Sequence, residues 1–166
     1  MEDNYIISID PGNIESAFCV INDKTYKPVE FGKVNNDDLI CHIATLIEKY
    51  NVYAVAIEMI ASYGMPVGKE VFDTCVWIGR YYQRCIVMVG DIDFIYRKEE
   101  KMNLCGSMKA KDSNIRQALI DRFATFDFKN GKGVKKNPDF FYGFSKDVWA
   151  AFAVGCTYLD KIKEQE

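Results

Sequence analysis

The period of the apolar positions changes several times along the chain, and each change marks an element. Residues 5 to 9 (Tyr-Ile-Ile-Ser-Ile) form a short β-branched run. Asp10-Pro11-Gly12-Asn13 stops it with turn chemistry, which predicts a buried strand ending in a carboxylate. Residues 16 to 22 and roughly 27 to 34 give two more strand-like runs on either side of the turn-forming Asn22-Asp23-Lys24, so three antiparallel strands open the fold. From Asp37 the spacing becomes helical: Leu39, Ile43, Leu46, Ile47 and Tyr50 share one face behind the capping candidates Asn36 and Asp37. Val52-Tyr53-Ala54-Val55-Ala56-Ile57 is then a continuous apolar run, the kind buried on both faces of a parallel sheet, and it ends at Glu58.

Beyond a loop holding Gly64, Pro66 and Gly68, residues 69 to 86 place Val71, Phe72, Cys75, Ile78 and Tyr82 on one helical stripe, with Val76, Trp77 and Tyr81 elsewhere. A helix apolar over more than one face packs on more than one neighbour. It is either a dimer contact or a central helix buried within the monomer. A strand at about 87 to 95 follows, then a short amphipathic helix marked by Ile115, Ala118, Leu119 and Phe123. Residues 127 to 143 read as an irregular basic loop, and a last helix runs from about Lys146 to Lys163 with Val148, Phe152, Gly155, Cys156, Leu159 and Ile162 on its buried side.

At 166 residues and 49% hydrophobic, the chain suits one domain, residues 1–166, with a well-buried core. The opening Met1-Glu2-Asp3-Asn4-Tyr5 is acidic, unlike a secretion signal, and no apolar stretch approaches a membrane span; the expected location is the cytoplasm. Six cysteines without a C-x-x-C pair, and one histidine, His42, argue against a zinc site and for small core residues with reduced thiols.

The net charge of −3 is unevenly spread. Residues 1 to 95 hold 7 Lys/Arg against 14 Asp/Glu, whereas residues 96 to 146 hold 12 against 6. A basic third on an otherwise acidic chain is the pattern of a polyanion-binding face, with Lys98, Lys109, Lys111, Arg116, Lys132, Lys135 and Lys136 as its candidate contacts.

Carboxylates stand at the ends of two strands and at the start of the last helix: Asp10, Glu58 and Asp147. If the first and fourth strands are neighbours, Asp10 and Glu58 face each other across one edge of the sheet, and Asp147 closes the site from the helix. Clustered carboxylates are what hard divalent ions require, and two such ions can stabilise both the attacking water and the leaving oxygen of a phosphodiester.

These residues carry a resemblance. Ser8-Ile9-Asp10-Pro11-Gly12, Ala56-Ile57-Glu58 and Ser145-Lys146-Asp147-Val148-Trp149-Ala150-Ala151-Phe152-Ala153 resemble the three motifs of the RuvC family of Holliday junction resolvases, known from bacteria, phages and some large DNA viruses. The resemblance spans nearly the whole chain. It implies an RNase H-like α/β fold with a mixed five-stranded sheet and helices on both faces. It also implies a homodimer that makes paired nicks in four-way DNA junctions and leaves 5′-phosphate and 3′-hydroxyl ends, for which the helix at 69–86 is the expected contact. Two Mg²⁺ or Mn²⁺ ions per active site are implied, with Asp10 bridging them and Glu58 and Asp147 each completing one sphere. A lysine near the scissile phosphate is best matched by Lys101, ahead of Lys111, and an aromatic that stacks on opened bases by Tyr63.

One position departs from the family pattern: a second acid is expected three residues after Asp147, and Ala150 stands there. Either a ligand has been removed by substitution, or three carboxylates suffice, or cleavage is lost. The main rival is therefore a module that binds branched DNA without cutting. An actin-like nucleotide site is disfavoured, because that architecture needs two lobes and Gly64-Met65-Pro66-Val67-Gly68-Lys69-Glu70 lacks P-loop spacing.

Overall fold

A computed structural model describes residues 3–165; Met1 and Glu2, part of the acidic opening, lie outside the described residues. The chain runs β1 (Tyr5–Asp10), β2 (Glu15–Asn22), β3 (Pro28–Asn35), α1 (Asn36–Tyr50), β4 (Val52–Met59), α2 (Lys69–Ile86), β5 (Asp91–Tyr96), α3 (Arg97–Cys105), α4 (Asp112–Phe123), the short strands β6 (Gly133–Val134) and β7 (Asn137–Pro138), and α5 (Lys146–Lys163). The main sheet has the order β3-β2-β1-β4-β5. Its first three strands are antiparallel, while β1 pairs in parallel with β4, and β4 with β5. This is the mixed RNase H-like sheet.

Side chains alternate across the sheet as a two-residue period demands. Ile7, Ile9, Val55 and Ile57 pack against Leu39, Ile43, Ile78 and Tyr81 of α1 and α2. Ile6, Ala17, Cys19, Ala54, Ala56 and Ile95 face α4 and α5, meeting Ile115, Leu119, Phe152 and Cys156. The same parity continues to Asp10 and Glu58, two positions beyond Ser8 and Ala56, and turns both carboxylates to the α5 side.

Of the two roles open to the helix at 69–86, that of a central helix buried within the monomer is not the one observed. In α2 only Ile78, Tyr81 and Cys85 are buried, so of the anticipated stripe Ile78 alone is in the core, and Phe72 and Val76 are each 62% exposed. The helix enclosed on all sides is α5, buried continuously from Val148 to Leu159 except at Ala150. Gly155 lets it approach the sheet, since a Cβ there would meet Ile21 Cδ1 at 2.4 Å and Ser8 Oγ at 2.8 Å. A second difference is α3, which the apolar pattern did not reveal because the helix is mostly polar. Its ends were nonetheless marked: the Glu99 carboxylate accepts from the Tyr96 backbone N–H at 2.7 Å, and Gly106 closes it at φ 65°. The cap of α1 is Asn35, whose side chain accepts from the Asp37 N–H, while Asn36 is buried. The core reading of the cysteines holds for Cys19, Cys85 and Cys156, whereas Cys41 and Cys75 are exposed; all six are free thiols. Among the described residues no helix is long and apolar enough to cross a membrane.

Gly155→Val should lower stability by about 1–3 kcal/mol through overpacking between α5 and β1. A urea melt checks this, and an unchanged midpoint would mean that this contact does not set the spacing.

Candidate active site

Parallel pairing of β1 with β4 aligns Ile9 with Ile57, so the chain delivers Asp10 and Glu58 side by side at the strand ends. The turn after Asp10 is held by a buried hydrogen-bond network. The Ser16 hydroxyl accepts from the Gly12 N–H (3.2 Å) and donates to Asn36 Oδ1 (2.6 Å), and the Asn36 amide donates to the Gly12 carbonyl (2.9 Å). The Tyr81 hydroxyl of α2 reaches the same Asn36 oxygen at 2.9 Å. Gly12 itself is obligatory, because a Cβ would lie 2.2 Å from the Glu15 carbonyl oxygen.

Asp10, Glu58 and Asp147 line one cleft of about 510 Å³, together with Arg97, Asp112, Arg116, Lys146, Trp149 and Ala150. Asp147 extends from the first turn of α5 toward β3, where the Lys33 ammonium holds it at 2.7 Å. Glu100 of α3 lies fully buried behind Glu58. Its Oε1 accepts from Arg97 Nη1 at 3.2 Å, and Arg97 also pairs with Asp112.

Burial first, then the neighbouring Glu58 charge, pushes the Asp10 carboxyl up to about 8. Burial and the adjoining Glu100 raise Glu58 to about 7. Glu100 is also raised to about 7 by burial, with Arg97 opposing the shift. The carboxylate pair Asp10 and Glu58, held in oxygen-only surroundings and short of counter-charge, fits a hard divalent cation. Among the described residues no three His, Cys, Asp or Glu side chains already converge on one ion. Asp147 is instead engaged by Lys33.

The remaining expected contacts divide by position. Arg116 lies in the cleft with its guanidinium 4.8 Å from the Trp149 ring centroid. Tyr63, 70% exposed, belongs to an adjoining lobe that also includes Asp10, Glu58 and Arg97. Lys101 sits one residue after Glu100 on α3 but does not line the cleft; Arg97, Arg116 and Lys146 are the cations that do. Lys98, Lys109 and Lys111 are exposed on α3 and the α3–α4 connection, outside that lining. Lys132, Lys135 and Lys136 belong to the loop carrying β6 and β7. Phe141 of the same segment is buried against Trp149 and Phe152 and anchors the loop, whereas Tyr142 is 43% exposed.

Sequence reasoning missed Arg97, Glu100 and Lys33. Arg97 and Glu100 stand three apart, the spacing of an ion pair on one helix face, and were hidden only because α3 was not recognised.

The solved structure of Thermus thermophilus RuvC superposes on the chain with a TM-score of 0.71, covering 97% of this chain and 96% of that one at 13% identity. The chain has the RuvC fold. T. thermophilus RuvC in complex with Holliday junction substrate gives 0.70 at 12% identity, over 96% and 95% of the two chains. The yeast mitochondrial Holliday junction resolvase gives 0.59 at 14%, covering 98% of this chain and 82% of that one. No protein-family model and no curated protein sequence matches the chain.

In the metal-free fold the raised carboxyls keep protons that the unfolded chain releases above the ordinary values of 3.8 and 4.5. The folded state therefore binds more protons up to about pH 8, and stability must fall as pH rises through that window. Thermal melts in chelator should show the melting temperature dropping by several degrees between pH 5 and pH 8, with Asp10→Asn flattening the slope. A profile that rises with pH would contradict the shifts.

Proposed function

We propose that the chain is a structure-selective DNA endonuclease that resolves four-way junctions by metal-dependent phosphodiester hydrolysis, leaving 5′-phosphate and 3′-hydroxyl ends. The observation that carries this reading is the delivery of Asp10, Glu58 and Asp147 to one cleft by β1, β4 and α5. The fold shared with RuvC, which has been solved with a Holliday junction, supports the choice of branched DNA.

Asp10 and Glu58 would hold Mg²⁺ or Mn²⁺, with Asp147 joining once it leaves Lys33. When bound, such ions supply charge stabilisation at the phosphoryl group and a more acidic water. The protein's own part is positional. The Gly12–Ser16–Asn36 network keeps the Asp10 turn in place, and Arg116 and Lys146 on the cleft wall attract the phosphate backbone. Lys101, Lys98, Lys109, Lys111, Lys132, Lys135 and Lys136 extend the basic face along the DNA arms, and Tyr63 offers its ring to bases opened beside the site. The role belongs to DNA recombination and repair in the cytoplasm.

A dimer would place two such sites on one junction. The outward face of α2, with Phe72, Val76, Tyr82 and Ile86 at least a third exposed, supplies the self-complementary apolar patch. Light scattering should give twice the 19.0 kDa chain mass, and Phe72→Asp should give the single mass. A monomeric unsubstituted protein would remove the dimer.

Ala150 favours one rival, a junction-binding module without cleavage, because its methyl occupies the cleft wall one turn beyond Asp147. Labelled four-way junctions incubated with Mg²⁺ or Mn²⁺ separate the two. Cleavage by the unsubstituted chain, lost by about 100-fold or more in Asp10→Asn with binding retained, supports the nuclease. Cleavage only by Ala150→Asp means an impaired site, and binding without cleavage by both favours the module.

A further inference from the structure

Two buried acids in this protein are treated very differently by their surroundings. Asp139, 7% exposed, has its carboxylate met by the backbone N–H groups of Thr125, Phe126, Asp127 and Phe140. Glu100, fully buried, has one oxygen on Arg97 and the other, Oε2, without any hydrogen-bond partner. A buried ionised oxygen with nothing to accept from is expensive, and nothing in the helix requires an acid there. Arg97 cannot fully compensate, because it is shared with Asp112.

The direction of Glu100 is informative. Its carboxyl lies within hydrogen-bonding range of Glu58, and Glu58 within that of Asp10, so the three acids form a row across the ends of β1 and β4 and the middle of α3. Two ionised carboxylates in such contact share no hydrogen bond until a proton or a cation comes between them. A cation on Asp10 and Glu58 would have further coordination positions to fill, and Asp147 and Glu100 are the neighbouring acids that act on this pair. Asp147 must first give up its 2.7 Å ion pair with Lys33, whereas Glu100 Oε2 has no bond to give up.

We propose that Glu100, from α3, is a cation ligand of this site beside Asp10 and Glu58. The assignment rests on the metal-dependent reading above and adds a ligand that reading does not use. It also gives Arg97 a part: fixed on Oε1, it would leave Oε2 available to the cation.

The test is Mn²⁺ titration of the full-length, DNA-free protein followed by electron paramagnetic resonance, with folding checked by circular dichroism. Glu100→Gln keeps an acceptor for Arg97 but loses the charge, and should weaken Mn²⁺ binding by about 10-fold or more. Asp10→Asn, run alongside, should weaken it too. If Asp10→Asn weakens binding and Glu100→Gln binds as the unsubstituted chain does, even with a lowered melting temperature, Glu100 is only a structural partner of Arg97 and the proposal is overturned. If neither substitution changes Mn²⁺ affinity, the metal reading of the cleft falls, and this proposal with it. Should Glu100→Gln fail to fold, Glu100→Asp keeps the charge and withdraws it by one methylene; weaker Mn²⁺ binding supports the assignment, and unchanged binding overturns it.

Discussion

Negative charge forced together at the ends of two parallel strands is the constraint on which the rest of this structure depends. Asp10, Glu58 and Glu100 are each pushed toward their neutral forms by burial, and one arginine, itself divided between two acids, faces them. Such a cluster is unfavourable in isolation, and a fold tolerates it only where the surrounding structure is rigid enough to deny the side chains an escape to water. Its surroundings supply that rigidity. The Asp10 turn is fastened on both backbone polar groups of Gly12, by Ser16 and by Asn36, and Tyr81 ties the same network to α2. The carboxylates are thus spaced by the sheet and not by their own repulsion.

The helices divide the remaining work. The helix α5 is enclosed by the sheet on one side and by α4 with Phe140, Phe141 and Phe144 on the other, and its N-terminal end presents Asp147 and Lys146 to the cleft. By contrast α2 commits a narrow stripe to the core and leaves Phe72 and Val76 to solvent. The same helix, with its exposed apolar face, braces the Asp10 turn through the Tyr81 hydroxyl, so a partner covering α2 would bear on the hydrogen bonds that position the end of β1.

Much of this was legible in the sequence, and particular residues show why. The β-branched run before Asp10 and the unbroken apolar run before Glu58 located β1 and β4, and strand parity alone puts both acids on one face. The helix over 69–86 was equally plain, but its inward stripe was not. Tyr81 is buried through its hydroxyl bonds to Ser16 and Asn36, partners 65 and 45 residues away, and no local periodicity encodes such a bond. Periodicity failed altogether at α3, where only Glu100 of nine residues is buried and it is charged. The helix is written in its caps, Glu99 and Gly106, and in the Arg97–Glu100 spacing, which are signals of chemistry rather than of hydropathy.

The basic loop after α4 shows the same principle from the other side. Its lysines suggested an irregular basic segment, yet the loop is organised around two acids: Asp139 collects four backbone N–H groups, Asp127 collects those of Asn130 and Gly133, and Phe141 is sunk beside Trp149. Hydrogen bonds from that many amides hold the Asp139 carboxyl well below its ordinary value, whereas burial raises those of Asp10 and Glu58. Asp139 is therefore committed to structure, its charge already answered by the backbone. The acids at the strand ends have received no such answer, and that difference in unmet demand for positive charge, more than the number of acids present, separates a structural carboxylate from one poised to take a cation.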